Sequence, residues 1–418
     1  MSAAHDQHAT NVPERIRLDA DVARLDIPVG GWLPEHRSNL IERHPLMTRR
    51  YTIPTFVIEH AYRAIRERVY ARRTGLVFIG RTRCGKTTCA RAVRQYLLEE
   101  FPSAHVIVAA ARATLRPVSG HAYRVILESV GHVCAARTDA TVLLRNVASD
   151  IETSLAAKGG NHFVLILDEV NLFNQHDMGS LLELGNLLEL RGITMTVISF
   201  GQPDVEHLIT SLQEQNKLQL IARFFRRPKS FDGCTGVEML TGVLTYLDTK
   251  SEWPEGSGWT YTEFFFPQAY RQGFRFHHYA ELIWSELSAA TSDAESGLSM
   301  EAIAMTIEWL FLSLHRFDDE QFRLEVKDIK SAIDASDLGW GGVELYAANP
   351  ERKRSRFSER AADLDGRQCC TVRVGLVGVR ESDGDEFPDM ERTATVGVAF
   401  GSNGPGRRRI HFGAKYCT

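Results

Sequence analysis

Four short, nearly continuous apolar runs punctuate the first half of the chain: Leu76-Val77-Phe78-Ile79, then 105–110, 163–167 and 193–200. Runs of this kind, apolar without alternation, fit strands buried on both faces, as in a parallel sheet covered by helices. Helical stripes fill the gaps. Val57, Ile58, Ala61, Ile65 and Val69 recur at helical steps over 55–70, and Ala90, Val93, Leu97 and Phe101 do so after the first run. Further helices are expected at 121–132, at 141–157 (with Leu143, Val147, Ile151 and Leu155 on one face), at 181–190 and at 205–225. Gly159-Gly160-Asn161 stops the 141–157 helix, because glycine enters a left-handed cap at little cost. Strand alternating with helix predicts an α/β fold whose parallel sheet is flanked by helices.

Beyond Phe231 the strand pattern stops. A Trp/Gly-rich segment at 252–262 lies among helical patterns at 237–247, 276–290, 300–315 and 326–335, which predict a small all-helical domain. The expected organisation is an extended, Pro-containing arm over 1–45, an α/β core over 46–232, a helical lid over 233–345 and a tail over 346–418. In the tail, 371–379 and 393–400 alternate like strands.

Composition narrows the class. With 44% hydrophobic and 24% charged residues in 418, the chain reads as an ordinary globular protein of two to three domains. A formal charge of −4 gives no overall nucleic-acid signature, so any basic surface must be local. No apolar run approaches the ~20 residues of a membrane span, so no membrane partner is expected. No secretory signal is visible in the polar first 17 residues. Seven cysteines, an odd number without a C-x-x-C pair, point to reduced thiols and a cytoplasmic location.

Candidate chemistry begins directly after the first apolar run. Gly80-Arg81-Thr82-Arg83-Cys84-Gly85-Lys86-Thr87-Thr88 carries the G-x-x-x-x-G-K-T spacing between a strand and a helix. Glycines let successive backbone N–H groups turn inward around phosphate oxygens, and the following helix adds the positive end of its dipole. Lys86 can then reach the β- and γ-phosphates, and the Thr87 hydroxyl can ligate Mg²⁺. The run at 163–167 ends in Asp168-Glu169, where charge first appears as a buried strand emerges. Asp168 suits the metal's coordination shell, and Glu169 suits orienting or deprotonating water.

The 193–200 run exits through Ser199-Phe200-Gly201-Gln202-Pro203, where Gln202, ahead of Ser199, can sense a terminal phosphate. The 205–225 helix ends in Arg223-Phe224-Phe225-Arg226-Arg227. Its arginines either favour the helix dipole or, as the reading preferred here, supply an arginine finger to a neighbouring subunit. A guanine-reading N-K-x-D is absent, since Asn216-Lys217-Leu218-Gln219 has glutamine in the last place. His277-His278 lacks ligand partners at metal spacing and reads as structural.

This ordered set resembles the AAA+ ATPases over roughly residues 40–335, and within them the TniB/TnsC-type transposition regulators. The resemblance implies that the loop residues bind ATP and Mg²⁺. It implies that Asp168 and Glu169 serve hydrolysis and that Gln202 or Ser199 acts as first sensor. Arg223 or Arg226 would be the finger, and Arg275, in Gly273-Phe274-Arg275, the second sensor. It also implies a ring or filament of this chain on DNA that recruits a transposase. The tail after 349 is not part of that pattern, and no basic DNA-binding domain stands out. Candidate DNA contacts are Arg112 and Arg116 after the second strand; Arg63, Arg66 and Arg68 on the first helix read first as a solvated face and, in the alternative, as further phosphate contacts. The alternative is a nucleotide-switched scaffold acting on protein partners.

Overall fold

A computed structural model describes residues 33–136, 139–291 and 297–336. The two tail strands expected from the sequence lie outside the described residues. Five parallel strands form one sheet in the order β2-β3-β4-β1-β5: β1 Leu76–Ile79, β2 His105–Ala110, β3 His162–Asp168, β4 Thr194–Gly201 and β5 Lys229–Ser230. The strand before the glycine loop therefore lies between β4 and β5, and β4 separates it from the strand that ends in Asp168.

Helices cover both faces of the sheet. Along β3, Phe163, Leu165 and Leu167 pack with α3 (His121–Ser129), α4 (Ala140–Lys158) and α5 (Gln175–Leu190). Val164 and Ile166 pack on the other face with α1 (Phe56–Tyr70) and α2 (Lys86–Glu100). A strand sends alternate side chains to opposite faces, so a run with both sets buried must be apolar throughout. That explains why these strands are visible in the sequence.

Three differences have local causes. The helix expected over 205–225 is two helices, α6 (Val205–Glu214) and α7 (Leu218–Phe224), with Asn216 left-handed between them at φ 55°. Asparagine tolerates that conformation better than most residues. The fifth strand has only two polar residues, Lys229 and Ser230, and so carries no apolar signal. The Trp/Gly-rich segment runs directly into two short helices, α9 (Tyr261–Phe265) and α10 (Pro267–Arg271), after α8 (Val237–Thr249). The remaining helices are α11 (Ala280–Ala290), α12 (Met300–Leu314) and α13 (Val326–Ala335).

A third apolar cluster joins these helices to the end of the N-terminal arm, whose described part makes short helical turns with Leu40 and Leu46 buried against them. His44 is fully buried there, its ring centroid 4.5 Å from those of Tyr261 and Phe265 and 4.7 Å from that of Trp253. Its Nδ1 accepts the Leu46 amide at 3.1 Å. Buried Asp248 ties the same cluster together, accepting from the Thr262 hydroxyl at 2.6 Å and from the Phe276 and His277 amides. Its contact with His277 Nδ1 at 2.7 Å gives that histidine the structural role expected of it.

Two buried histidines are expected to make the fold acid-sensitive. Burial pushes the His44 imidazole well below its usual range. Burial, with a smaller contribution from Arg72, lowers His162 to about 4. His162 lies in β3 with its Nε2 2.9 Å from the Thr196 hydroxyl. Both rings are neutral in the folded chain, whereas the unfolded chain takes up protons below pH ~6.5. Their contribution is therefore complete above pH 6.5 and is lost as the pH falls towards the folded-state values. For His162 a shift from 6.5 to about 4 corresponds to roughly 3 kcal/mol. The expected result is a urea midpoint that drops between pH 7.5 and pH 5, with a shallower pH dependence in His162→Gln. A midpoint independent of pH over that range would refute the assignment.

Candidate functional site

The glycine loop sits at the C-terminal end of β1, where parallel sheets place their ligands. Two of its glycines are sterically required. A Cβ on Gly80 would lie 2.1 Å from the Phe231 carbonyl oxygen, and Gly85 has φ +96° at the N-cap of α2. No acidic residue occupies the first turn of α2, so the positive end of its dipole is left uncompensated at the loop. Arg83 is also left-handed, at φ 62°. Buried Lys86 turns its ammonium onto the loop itself, donating to the carbonyls of Gly80 at 2.9 Å and Arg81 at 2.6 Å. The Cys84 thiol donates to the Arg81 carbonyl at 2.9 Å, and burial pushes its pKa up, so the group stays a neutral thiol. Thr82 and Thr88 lie exposed on the loop and on the first turn of α2.

Across β4, the Thr87 hydroxyl donates to Asp168 Oδ2 at 2.6 Å. The two expected metal ligands are thus adjacent oxygens at the end of β3. Such a pair suits Mg²⁺, which takes few protein ligands and leaves the remaining positions to phosphate and water. Among the described residues no larger cluster of metal-binding side chains competes with it.

Glu169 follows in the left-handed conformation at φ 54°, with its amide donating to Asp168 Oδ1 at 3.1 Å. Side chains other than glycine rarely adopt this backbone, and here it turns Glu169 towards the exit of β4. There Gln202 Nε2 donates to Glu169 Oε2 at 2.8 Å, and Asn171 Oδ1 accepts the Gln202 amide at 3.0 Å. Lys86, Thr87, Asp168, Glu169 and Gln202 therefore gather at one end of the sheet. Ser199 lies inside β4, fully buried, with its hydroxyl lacking a partner among the described residues.

Asn171 was not anticipated, although it lies only two positions beyond Glu169. Glu301 was not anticipated either, and nothing near it in sequence marks it. Its amide donates to the Arg83 carbonyl at 3.3 Å, and its carboxylate pairs with the Arg83 guanidinium at 3.1 Å. The preceding Met300 lies 3.7 Å from where a Gly85 Cβ would stand. The start of α12 is thus the part of the helical segment that meets the loop.

The other candidates are placed elsewhere. Arg275 lies over the Tyr270 ring at 3.4 Å and donates to the carbonyls of Tyr270 at 2.9 Å and Phe274 at 2.6 Å. Arg223 leans on α5, with Asn186 at 3.4 Å and Glu189 at 3.8 Å. Arg226 is exposed. Arg112 pairs with Glu128 at 2.8 Å, and Arg116 is exposed in the same loop. On α1, Arg63 pairs with Glu59 and Arg66 with Glu100. None of the helices among the described residues is long and apolar enough to cross a membrane.

No curated protein matches this chain. The Aeropyrum pernix ORC2 protein in its ADPNP–ADP complexes is similar at 13% identity and a TM-score of 0.48, over 70% of this chain and 72% of that one. The Aeropyrum pernix ORC1 protein in complex with DNA is similar at 14% identity and a TM-score of 0.42, over 76% of each chain. Domain III of the Thermotoga maritima replication initiation protein DnaA is similar at 12% identity and a TM-score of 0.38, over 68% of this chain and 93% of that one. Residues 70–209 match the family model described as an AAA domain, and the fold is that of an AAA+ P-loop NTPase, a parallel five-stranded sheet flanked by helices with further helices after the core.

Proposed function

We propose that this chain binds and hydrolyses ATP, assembles on DNA in the ATP-bound form, and regulates transposition or target-site choice by recruiting a transposase. The observation that carries the ATPase part is the convergence of the Thr87–Asp168 pair and the Glu169–Gln202 pair beside the Lys86 loop. In this reading the backbone from Gly80 to Gly85, with Thr87 and Thr88, cradles the triphosphate. Lys86 leaves the loop carbonyls for the β- and γ-phosphates, and Thr87 and Asp168 hold the cation. Bound Mg²⁺ supplies charge neutralisation at the phosphate oxygens. Glu169 orients the attacking water and takes its proton, and Gln202 fixes the direction of that carboxylate. Arg226, exposed, is better placed than Arg223 to act in trans as a finger, and Arg275 reaches a nucleotide only by leaving Tyr270.

The DNA and transposase part rests on the resemblance of the motif set and on the exposed arginines after β2. Its test is binding to duplex DNA with a non-hydrolysable ATP analogue, with ADP and without nucleotide. Tight, strongly salt-dependent binding is expected only in the ATP state, because an assembly repeats each phosphate contact and every contact adds about −0.9 to the log–log salt slope. No binding in any state, even at low salt, would favour the nucleotide-switched scaffold.

A further inference from the structure

A second concave feature lies at the other end of β1. Where β1 begins, at Leu76, a groove of about 530 Å³ opens between the end of α1 and the segment entering β5. Arg68 and Arg73 line it from the first side, and Arg226, Arg227 and Lys229 from the second. Glu67 is the single acid in the lining. Among the described residues, no ion pair or side-chain hydrogen bond engages any of the five cations.

We propose that this groove binds consecutive phosphate groups of a DNA backbone, an inference that rests on the DNA reading above and gives it a site. Four lines of reasoning support it. Like charges brought together without counter-ions oppose folding, so five cations around one carboxylate favour an anion that offsets them. Burial and the guanidinium groups of Arg227, Arg73 and Arg226 all lower the Arg68 pKa, the direction an unneutralised cluster produces. The dipole of α1 does not by itself account for the cluster, because three carbonyls of its last turn already accept backbone amides, Glu67 from Ala71, Arg68 from Arg73 and Val69 from Arg72. Arg226, Arg227 and Lys229 arrive from a separate segment, in which Arg227 holds a left-handed backbone at φ 61°.

Shape separates a DNA strand from a neighbour's nucleotide. An arginine finger is a single cation extended into another subunit's site. Here the cations line a concavity that an anion must enter, with room for well over ten waters at ~30 Å³ each. The groove also lies at the opposite end of β1 from the nucleotide loop, so both can be filled together.

The test uses the full chain carrying Arg68→Gln, Arg73→Gln and Lys229→Gln together, leaving Arg226 in place because the finger reading shares it. With the ATP analogue, duplex-DNA affinity is expected to fall at least about tenfold at moderate salt, and the salt slope to shallow by roughly 0.9 per cation that meets a phosphate. Nucleotide affinity should be unchanged, and the thermal midpoint unchanged or higher because repulsion is relieved. Arg112→Gln/Arg116→Gln serves as comparison. Wild-type binding with an unchanged slope in the triple variant overturns the groove and leaves the DNA reading intact. Wild type that binds no DNA overturns both. Loss of tripolyphosphate binding in the triple variant, with DNA binding intact, assigns the groove to free phosphates or a neighbour's nucleotide instead and overturns the DNA assignment.

Discussion

Replacing Lys86 with alanine is expected to weaken ATP binding by roughly thirtyfold or more, since truncating one partner of a buried charged pair costs about 2–5 kcal/mol. The site reinforces the effect. Lys86 is buried at the first turn of α2, within reach of two loop carbonyls, and no other ammonium group lies in the loop to replace it. The same substitution leaves the Gly80 and Arg81 carbonyls without that donor, so the nucleotide-free chain should lose about 1–2 kcal/mol of stability as well. Thermal unfolding separates the two effects. At a hundredfold excess of ATP over its Kd the wild type gains about 2.7 kcal/mol, whereas the variant should gain less than about 1 kcal/mol at the same concentration. Equal gains, with unchanged turnover, would sink the phosphate-loop assignment.

What the sequence made legible follows from burial. β1 and β3 are enclosed on both faces, so Leu76–Ile79 and the run leading into Asp168 had to be uniformly apolar, and the polar residues at their exits stood out. Gly80, Gly85, Lys86 and Thr87 were legible because a backbone cradle needs those residue types at that spacing. β5 was not, since its two residues sit at the sheet edge and one is exposed. The break at Asn216 was hidden because α6 and α7 continue one amphipathic pattern on either side of a single left-handed residue.

Contacts between distant segments left the faintest trace. Glu301 meets Arg83 across more than two hundred residues, and neither position carries a local pattern that requires the other. The arginines of α1 read as one basic face, yet the structure divides them. Arg63 and Arg66 are tied to Glu59 and Glu100, while Arg68 joins a cluster completed by residues that the sequence suggested as part of a finger. Charge in sequence shows how many cations a helix carries. Only the fold shows which of them have partners.

Glu169→Gln is expected to keep ATP affinity within a few-fold while lowering turnover by about 10²–10⁴, the usual contribution of a positioned general base. The amide keeps the shape of the carboxylate and retains an oxygen that can accept from Gln202 Nε2, so the local hydrogen bond survives while the proton acceptor is lost. Gln202→Ala makes the complementary change. The carboxylate remains but loses the contact that fixes its direction, and Asn171 keeps its bond to the main-chain amide of residue 202. A smaller fall in turnover, about tenfold, is expected there, because a misdirected base still samples the productive direction part of the time. Nucleotide affinity from equilibrium titration and turnover from phosphate release, measured on both variants, separate the roles. If Glu169→Gln loses affinity together with turnover, the residue holds the site together rather than acting on water. If Gln202→Ala turns over as fast as wild type, the 2.8 Å contact does not position the base during reaction.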